Sequence, residues 1–279
     1  VEAALDGFID AHSPADLGVA MRYGVLEGGK RLRALLVLAS CDAVEGNPDA
    51  ALRAACAAEM IHAYSLIHDD MPCMDNDVLR RGKPTVHVAF GQAQALLAGD
   101  ALQALAFEIL TPDDTRISGD LQAKLCRLLA RASGAEGMAG GQAIDLASVG
   151  KSLTESELRR MHELKTGALL QASVLMGHAC GLQANHFANF QTYGAAVGLA
   201  FQVVDDILDV TADEAILGKT AGKDAAANKP TYVALMGLDA AQNYANSLLN
   251  KALATLDGCE LSDDAALRAL AIELVKRHF

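Results

Sequence analysis

The sequence predicts an all-α protein folded as one domain over residues 1–279. Three observations predict it. Ala and Leu dominate a chain that is 52% hydrophobic but only 4% aromatic, with no Trp, a composition that favours helix over strand. Apolar residues recur at helical spacing, as at Leu121, Leu125, Leu128 and Leu129. Breakers are sparse and fall where helices should end, while strand signals are nearly absent. A chain of 279 residues could hold two domains, but no linker, low-complexity tract or repeat marks a boundary.

In chain order, these signals place helices near 2–12, 15–27, 29–44, 48–70, 91–110, 118–132, 136–147, 155–180, 185–210, 231–255 and 263–277. Asn47-Pro48 reads as an N-cap followed by proline at the first helical position. Thr154 to Glu157 has the capping-box pattern, and Ser262-Asp263-Asp264 opens the last helix. Two irregular segments remain, 75–88 and 212–230. Each follows an aspartate cluster at the C-terminal end of a long helix, which suggests that both loops border one mouth.

The net charge of −12 argues against nucleic acid as a partner. An acidic protein that binds an anion needs local basic groups or metal ions. The six cysteines, at 41, 56, 73, 126, 180 and 259, form no CxxC pair. Most lie in apolar helical stretches, as buried thiols in a reducing compartment do. No apolar run approaches the roughly 20 residues that span a bilayer, so no membrane span is expected. No signal peptide is visible, and a cytoplasmic protein is expected.

The aspartate clusters carry the chemistry. Asp205 and Asp209 are four residues apart on a helix, so they share one face about a turn from each other. Like charges at that spacing repel unless a cation lies between them, and hard oxygen ligands suit Mg2+. The first cluster, Asp69-Asp70-Met71-Pro72-Cys73-Met74-Asp75, does not fit a straight helix. Asp69 and Asp75 would point roughly 120° apart on one. Pro72 disfavours helix and lets the chain bulge, so that Asp75 folds back towards Asp69. Acids at a helix C-terminus oppose the helix dipole, so two such clusters argue for function rather than for solvated ends.

Basic groups answer them. Gly28-Gly29-Lys30-Arg31-Leu32-Arg33 sets two glycines before a basic helix start, with Lys30 and Arg33 expected on one face to meet a phosphate. Arg80-Arg81 follows the first cluster directly. Lys165-Thr166 sits inside an otherwise apolar helix, where a lysine needs a partner. Lys219, Lys223 and Lys229 fall after the second cluster. His62 and Ser65 share a helix stripe with Asp69, whereas His68 reads as structural.

These residues resemble the trans-isoprenyl diphosphate synthases, the family of farnesyl and geranylgeranyl diphosphate synthases. The resemblance rests on GGKRLR at 28–33, HAYSLIHDDMPCMDNDVLRRGKPT at 62–85, GGQAIDL at 140–146, LKTGAL at 164–169, FQVVDDILDV at 201–210 and LGKTAGKDAAANKPTY at 217–232. Ala34 stands where the family usually has proline, and Val78 where an acid is common. The resemblance implies an antiparallel bundle of roughly ten or more helices around a central cavity, and a homodimer. It implies that Asp69, Asp75 and Asp205 bind three Mg2+ ions that bridge an allylic diphosphate, with Asp70 and Asp209 acting from the outer shell. Arg80, Lys165 and Lys219 would then stabilise the leaving diphosphate, and Thr166 and Gln202 would steady the allylic cation. Gly29, Lys30, Arg33, His62 and Arg81 would hold isopentenyl diphosphate. No protein nucleophile is required.

In this family the fourth and fifth residues before the first aspartate help set product length. Here they are Ser65 and Tyr64. Tyr64 lies about 7.5 Å below Asp69 along a helix, where a ring would stop the chain at C15, farnesyl diphosphate. A geranylgeranyl (C20) synthase shares every motif and differs in tunnel depth. A class I terpene cyclase usually carries Asn, Ser or Glu ligands in the second motif, unlike Asp205 to Asp209. A non-catalytic partner subunit could lose the acids or the basic pair, and both are present.

Overall fold

A computed structural model describes residues 1–26, 28–181, 185–211, 230–259 and 261–276. It is helical almost throughout. The elements are α1 (Glu2–Phe8), α2 (Leu17–Val25), α3 (Leu32–Ala43), α4 (Pro48–Asp69), α5 (Val86–Phe90), α6 (Gln92–Glu108), α7 (Gly119–Ser133), α8 (Met138–Ser148), α9 (Glu155–His162), α10 (Ala168–Ala179), α11 (Phe187–Thr211), α12 (Tyr232–Met236), α13 (Leu238–Asp257) and α14 (Ala265–Val275).

The capping signals act as the sequence suggests. Asn47 Oδ1 accepts from the amides of Asp49 and Ala50 at 3.0 and 3.1 Å, opening α4. Thr154 and Glu157 form the full capping box of α9. Helix boundaries shift where local chemistry competes. α1 stops at Phe8 rather than near 12, because the Asp10 carboxylate accepts from the amide of His12 and the Asp10 carbonyl from the Ser13 hydroxyl. The helix expected over 231–255 is split at Gly237, where φ is +84°.

Two expectations are corrected. The segment 75–88 is not irregular throughout. It holds a hairpin of β1 (Leu79–Arg80) and β2 (Lys83–Pro84), followed by α5. Arg81 and Gly82 at the tip have φ of +52° and +75°, the signs of the two-residue turn that matches strand twist. The helix expected over 155–180 is interrupted by a π-helical turn at Glu163–Gly167, between α9 and α10. Such turns insert one residue and re-aim the side chains around it.

The core is two packed clusters. One joins α1, α2, α4, α6 and α7, and the other joins α9, α11, α13 and α14. Helices α3 and α10 contribute to both and cross closely: a Cβ on Gly177 would lie 2.1 Å from the Val37 carbonyl oxygen. Four cysteines are buried, whereas Cys73 is exposed and Cys126 half-buried, and all six are free thiols. Among the described residues, no helix is long and apolar enough to cross a membrane.

Candidate active site

The first aspartate cluster is a fold-back, as the sequence suggests. α4 ends at Asp69 and the chain turns, so that the amide of Asp75 donates to the Asp69 carbonyl at 2.8 Å. The amides of Met74 and Asn76 both donate to the Met71 carbonyl, and Asn76 sits at φ +53°. The two acids of the Asp69-Asp70 pair then part company. Asp70 is 2% exposed and accepts from Arg80 Nε at 2.9 Å and Nη2 at 2.6 Å. The hairpin that delivers Arg80 is anchored by Thr85, whose hydroxyl donates to the Asp77 carbonyl at 2.8 Å. Asp69 remains half-buried. Burial pushes its pKa up to about 6; Asp75 and Asp70 add to the rise, and Lys165 and Arg80 oppose it.

The second cluster continues α11 as a regular helix through Thr211. Asp205 is half-buried, while Asp206 and Asp209 are each 3% exposed. Asp206 Oδ2 accepts the backbone N–H of Tyr232 at 2.8 Å, and Oδ1 accepts from Gln202 Nε2 at 3.2 Å. Gln202 Oε1 accepts from the Thr166 hydroxyl at 3.1 Å.

The π turn joins the two clusters. Lys165 and Thr166 are consecutive in it. Lys165 acts electrostatically on Asp69, and Thr166 bonds to Gln202, one helical turn before Asp205 and Asp206. The partner that Lys165 needed is Asp145, at 2.6 Å. Gly141, one turn before Asp145 on α8, makes this contact possible, since a Cβ there would lie 2.1 Å from the Lys165 amide nitrogen.

On the other side, several arginines gather around His62. Arg33 is 9% exposed with its Nε unpartnered, and burial together with Arg81 lowers its pKa to about 10 despite Glu59. Desolvation and then the charges of Arg33, Arg81, Arg80 and Arg31 hold the His62 imidazole well below its usual pKa, so it is neutral. The Arg81 guanidinium lies over Gly28 and Gly29: a Cβ on Gly29 would meet its Nη2 at 2.9 Å. Like charges gathered around one buried member, Arg33, make a site suited to an added anion.

Lys30 is placed differently from the expectation. α3 starts at Leu32, after Gly29 at φ +92° and Arg31 at φ +50°, so exposed Lys30 precedes the helix and shares no helical face with Arg33. Arg31 pairs with Glu2 and with Glu59 of α4, whose other oxygen accepts from the Ala34 amide at 3.1 Å. Proline at position 34 would have no such N–H. Tyr64 is half-buried and packs edge-on to His68 with centroids 5.5 Å apart. The Ser65 hydroxyl donates back to the His62 carbonyl at 2.8 Å. The structural reading of His68 agrees with its 3.0 Å contact to the Leu96 carbonyl. Lys219, Lys223 and Lys229 lie outside the described residues. Gly141, Asp145, Glu59 and Asp206 were not singled out from sequence; the GGQAIDL run held the first two in view without a role.

The donor set suits Mg2+. Among the described residues, no three acidic, His or Cys side chains converge into a complete metal cage. Mg2+ takes one or two carboxylates and fills its shell with water and phosphate oxygens. Asp69 and Asp75, in one fold-back, and Asp205 offer such carboxylates, with Lys165 near the first pair.

A helical bundle that links two acidic clusters through Lys165 and Thr166, with arginines gathered beside the first, suits the binding of anionic phosphate esters through metal ions. The chain belongs to the Polyprenyl synthetase family, whose model matches residues 15–270. A Bradyrhizobium diazoefficiens protein described as a probable farnesyl diphosphate synthase is 53% identical over 260 residues, covering 90% of this chain and 77% of its own length. The chloroplastic geranylgeranyl pyrophosphate synthase of Capsicum annuum is 45% identical, with 97% of this chain and 74% of that protein covered. A Helicobacter pylori geranyltransferase crystallised with magnesium and isoprenyl diphosphate superposes with a TM-score of 0.83 at 36% identity, covering 99% of this chain and 94% of that one.

Proposed function

We propose that this chain is a farnesyl diphosphate synthase. It condenses isopentenyl diphosphate with dimethylallyl or geranyl diphosphate by ionisation, condensation and elimination. One observation carries the reading: the π turn holds Lys165, whose charge acts on Asp69, next to Thr166, whose hydroxyl bonds to Gln202 one turn before Asp205 and Asp206.

In this reading Asp69, Asp75 and Asp205 would hold Mg2+, three ions in all. When bound, the ions would supply positive charge for the diphosphate that leaves. Arg80, fixed by Asp70, and Lys165, fixed by Asp145, add positive charge to the same oxygens. Thr166 and Gln202 turn oxygen dipoles towards the allylic cation. Arg33, Arg81 and neutral His62, with Gly29 and Lys30, take the second diphosphate. The double bond of isopentenyl diphosphate attacks the cation, and a proton then leaves to the released diphosphate. Lys219 belongs to this reading through the family resemblance alone. So do cytoplasmic location and a homodimer, which light scattering would check.

Tyr64 supports a C15 product, because its ring occupies the helix one turn and more below Asp69. The similarity to the pepper enzyme supports a C20 alternative. Chromatography of products from isopentenyl and dimethylallyl diphosphates tests both. We expect C15 product with Mg2+ and none with EDTA. C20 as the main product would replace the chain-length assignment, and turnover insensitive to EDTA would contradict the reaction itself.

A further inference from the structure

We propose that Asp206 is a positioning residue that fixes the direction of the Gln202 amide, and is not a metal ligand. The inference rests on the reaction proposed above and assigns a role to the second acid of the second cluster. Both Asp206 oxygens are engaged, Oδ2 with the Tyr232 N–H at 2.8 Å and Oδ1 with Gln202 Nε2 at 3.2 Å, and the side chain is 3% exposed.

The chemistry of the donors orients the chain of bonds. A carboxylate only accepts, so the amide nitrogen of Gln202 must face Asp206. Gln202 then has to turn its oxygen the other way, where the Thr166 hydroxyl donates to it at 3.1 Å. Gln202 and Thr166 are both half-buried, at the face between the aspartate clusters where the allylic cation would form. Asp206 thereby places an oxygen there rather than an NH2 group. His162 also approaches this carboxylate, with Nε2 3.9 Å from Oδ2. Burial lowers the His162 pKa to about 4, so that ring is neutral. The same carboxylate ties α11 to Tyr232, at the start of α12.

Asp206→Asn tests this without removing the anchor. The introduced asparagine can still accept from Tyr232 through its oxygen, but its NH2 then faces Gln202 and reverses that amide. We expect kcat to fall about 10- to 100-fold, with KM for both diphosphates and the Mg2+ requirement unchanged. Gln202→Glu combined with Asp206→Asn restores an oxygen towards Thr166 at constant net charge and should recover most of the lost kcat. An unaltered kcat in Asp206→Asn, a raised Mg2+ requirement in it, or a double variant no faster than the single would each overturn the proposal. Thermal melts show that each variant is folded. A wild-type protein inactive in the same assay would remove the reaction itself, and this inference with it.

Discussion

The two aspartate clusters use the same residue type on opposite local structures. The first is a loop folded back at Pro72, with Asp75 returned to the Asp69 carbonyl, whereas the second is an unbroken helix. Each contains an adjacent pair, and each pair divides its labour alike. Asp69 and Asp205 stay half-buried, while Asp70 and Asp206 are buried and bonded. The partners differ. Asp70 holds a cation, Arg80 on the hairpin, and Asp206 holds a backbone amide and Gln202. In the proposed reading each Asp-Asp pair supplies one ligand and one strut. The strut of the loop cluster would then bring a charge to the site, and that of the helical cluster would orient a dipole.

The largest effect should come from the half-buried acids. Asp69→Ala and Asp205→Ala should each cut turnover by about 100-fold or more while leaving the melting temperature within a few degrees of wild type, measured by product formation and circular dichroism. Near-normal rates in either would break the symmetry between the clusters. Asp70→Ala should act differently, releasing Arg80 and costing about 2 kcal/mol in denaturant unfolding as well as turnover. A stability equal to wild type would show that Asp70 is no strut.

Gly141→Ala tests the bridge between the clusters. The added methyl overlaps the Lys165 backbone and should push α8 off the π turn, costing about 1–3 kcal/mol and loosening the Lys165–Asp145 pair. A variant as stable and active as wild type would sever α8 from the account. The pH dependence sharpens the first cluster. The folded-state pKa of Asp69, about 6, lies above its unfolded value, so its ionisation opposes folding. That cost is full above pH 6 and fades as pH falls through it. Mg2+ should therefore raise the melting temperature more at about pH 7.5 than at about pH 5, and equal shifts would argue against metal at Asp69. The smallest change in rate belongs to Tyr64→Ala, which should lengthen the product towards C20 with turnover largely retained; an unchanged product would move the tunnel floor elsewhere.

Much of this was legible in the sequence. The helical class, the Asn47 and Thr154 caps and the fold-back at Pro72 follow from local chemistry acting over a few residues. What was not legible depends on contacts across the chain. Asp145 meets Lys165 only because Gly141 lets α8 approach, and Glu59 caps α3 from α4. Spacing alone put Lys30 and Arg33 on one face, but Arg31 in a left-handed conformation breaks that register. The hairpin could have been read from Arg81-Gly82, since a small turn with glycine between short extended stretches is a known signal. The π turn had no local mark at all, because the inserted residue is held by packing.

The most direct test is the Mg2+ dependence of turnover in four matched variants, Asp69→Asn, Asp70→Asn, Asp205→Asn and Asp206→Asn. The division into ligands and struts predicts a raised Mg2+ requirement in the Asp69 and Asp205 variants only, with the other two slowed at an unchanged requirement. The same increase in all four variants would contradict it.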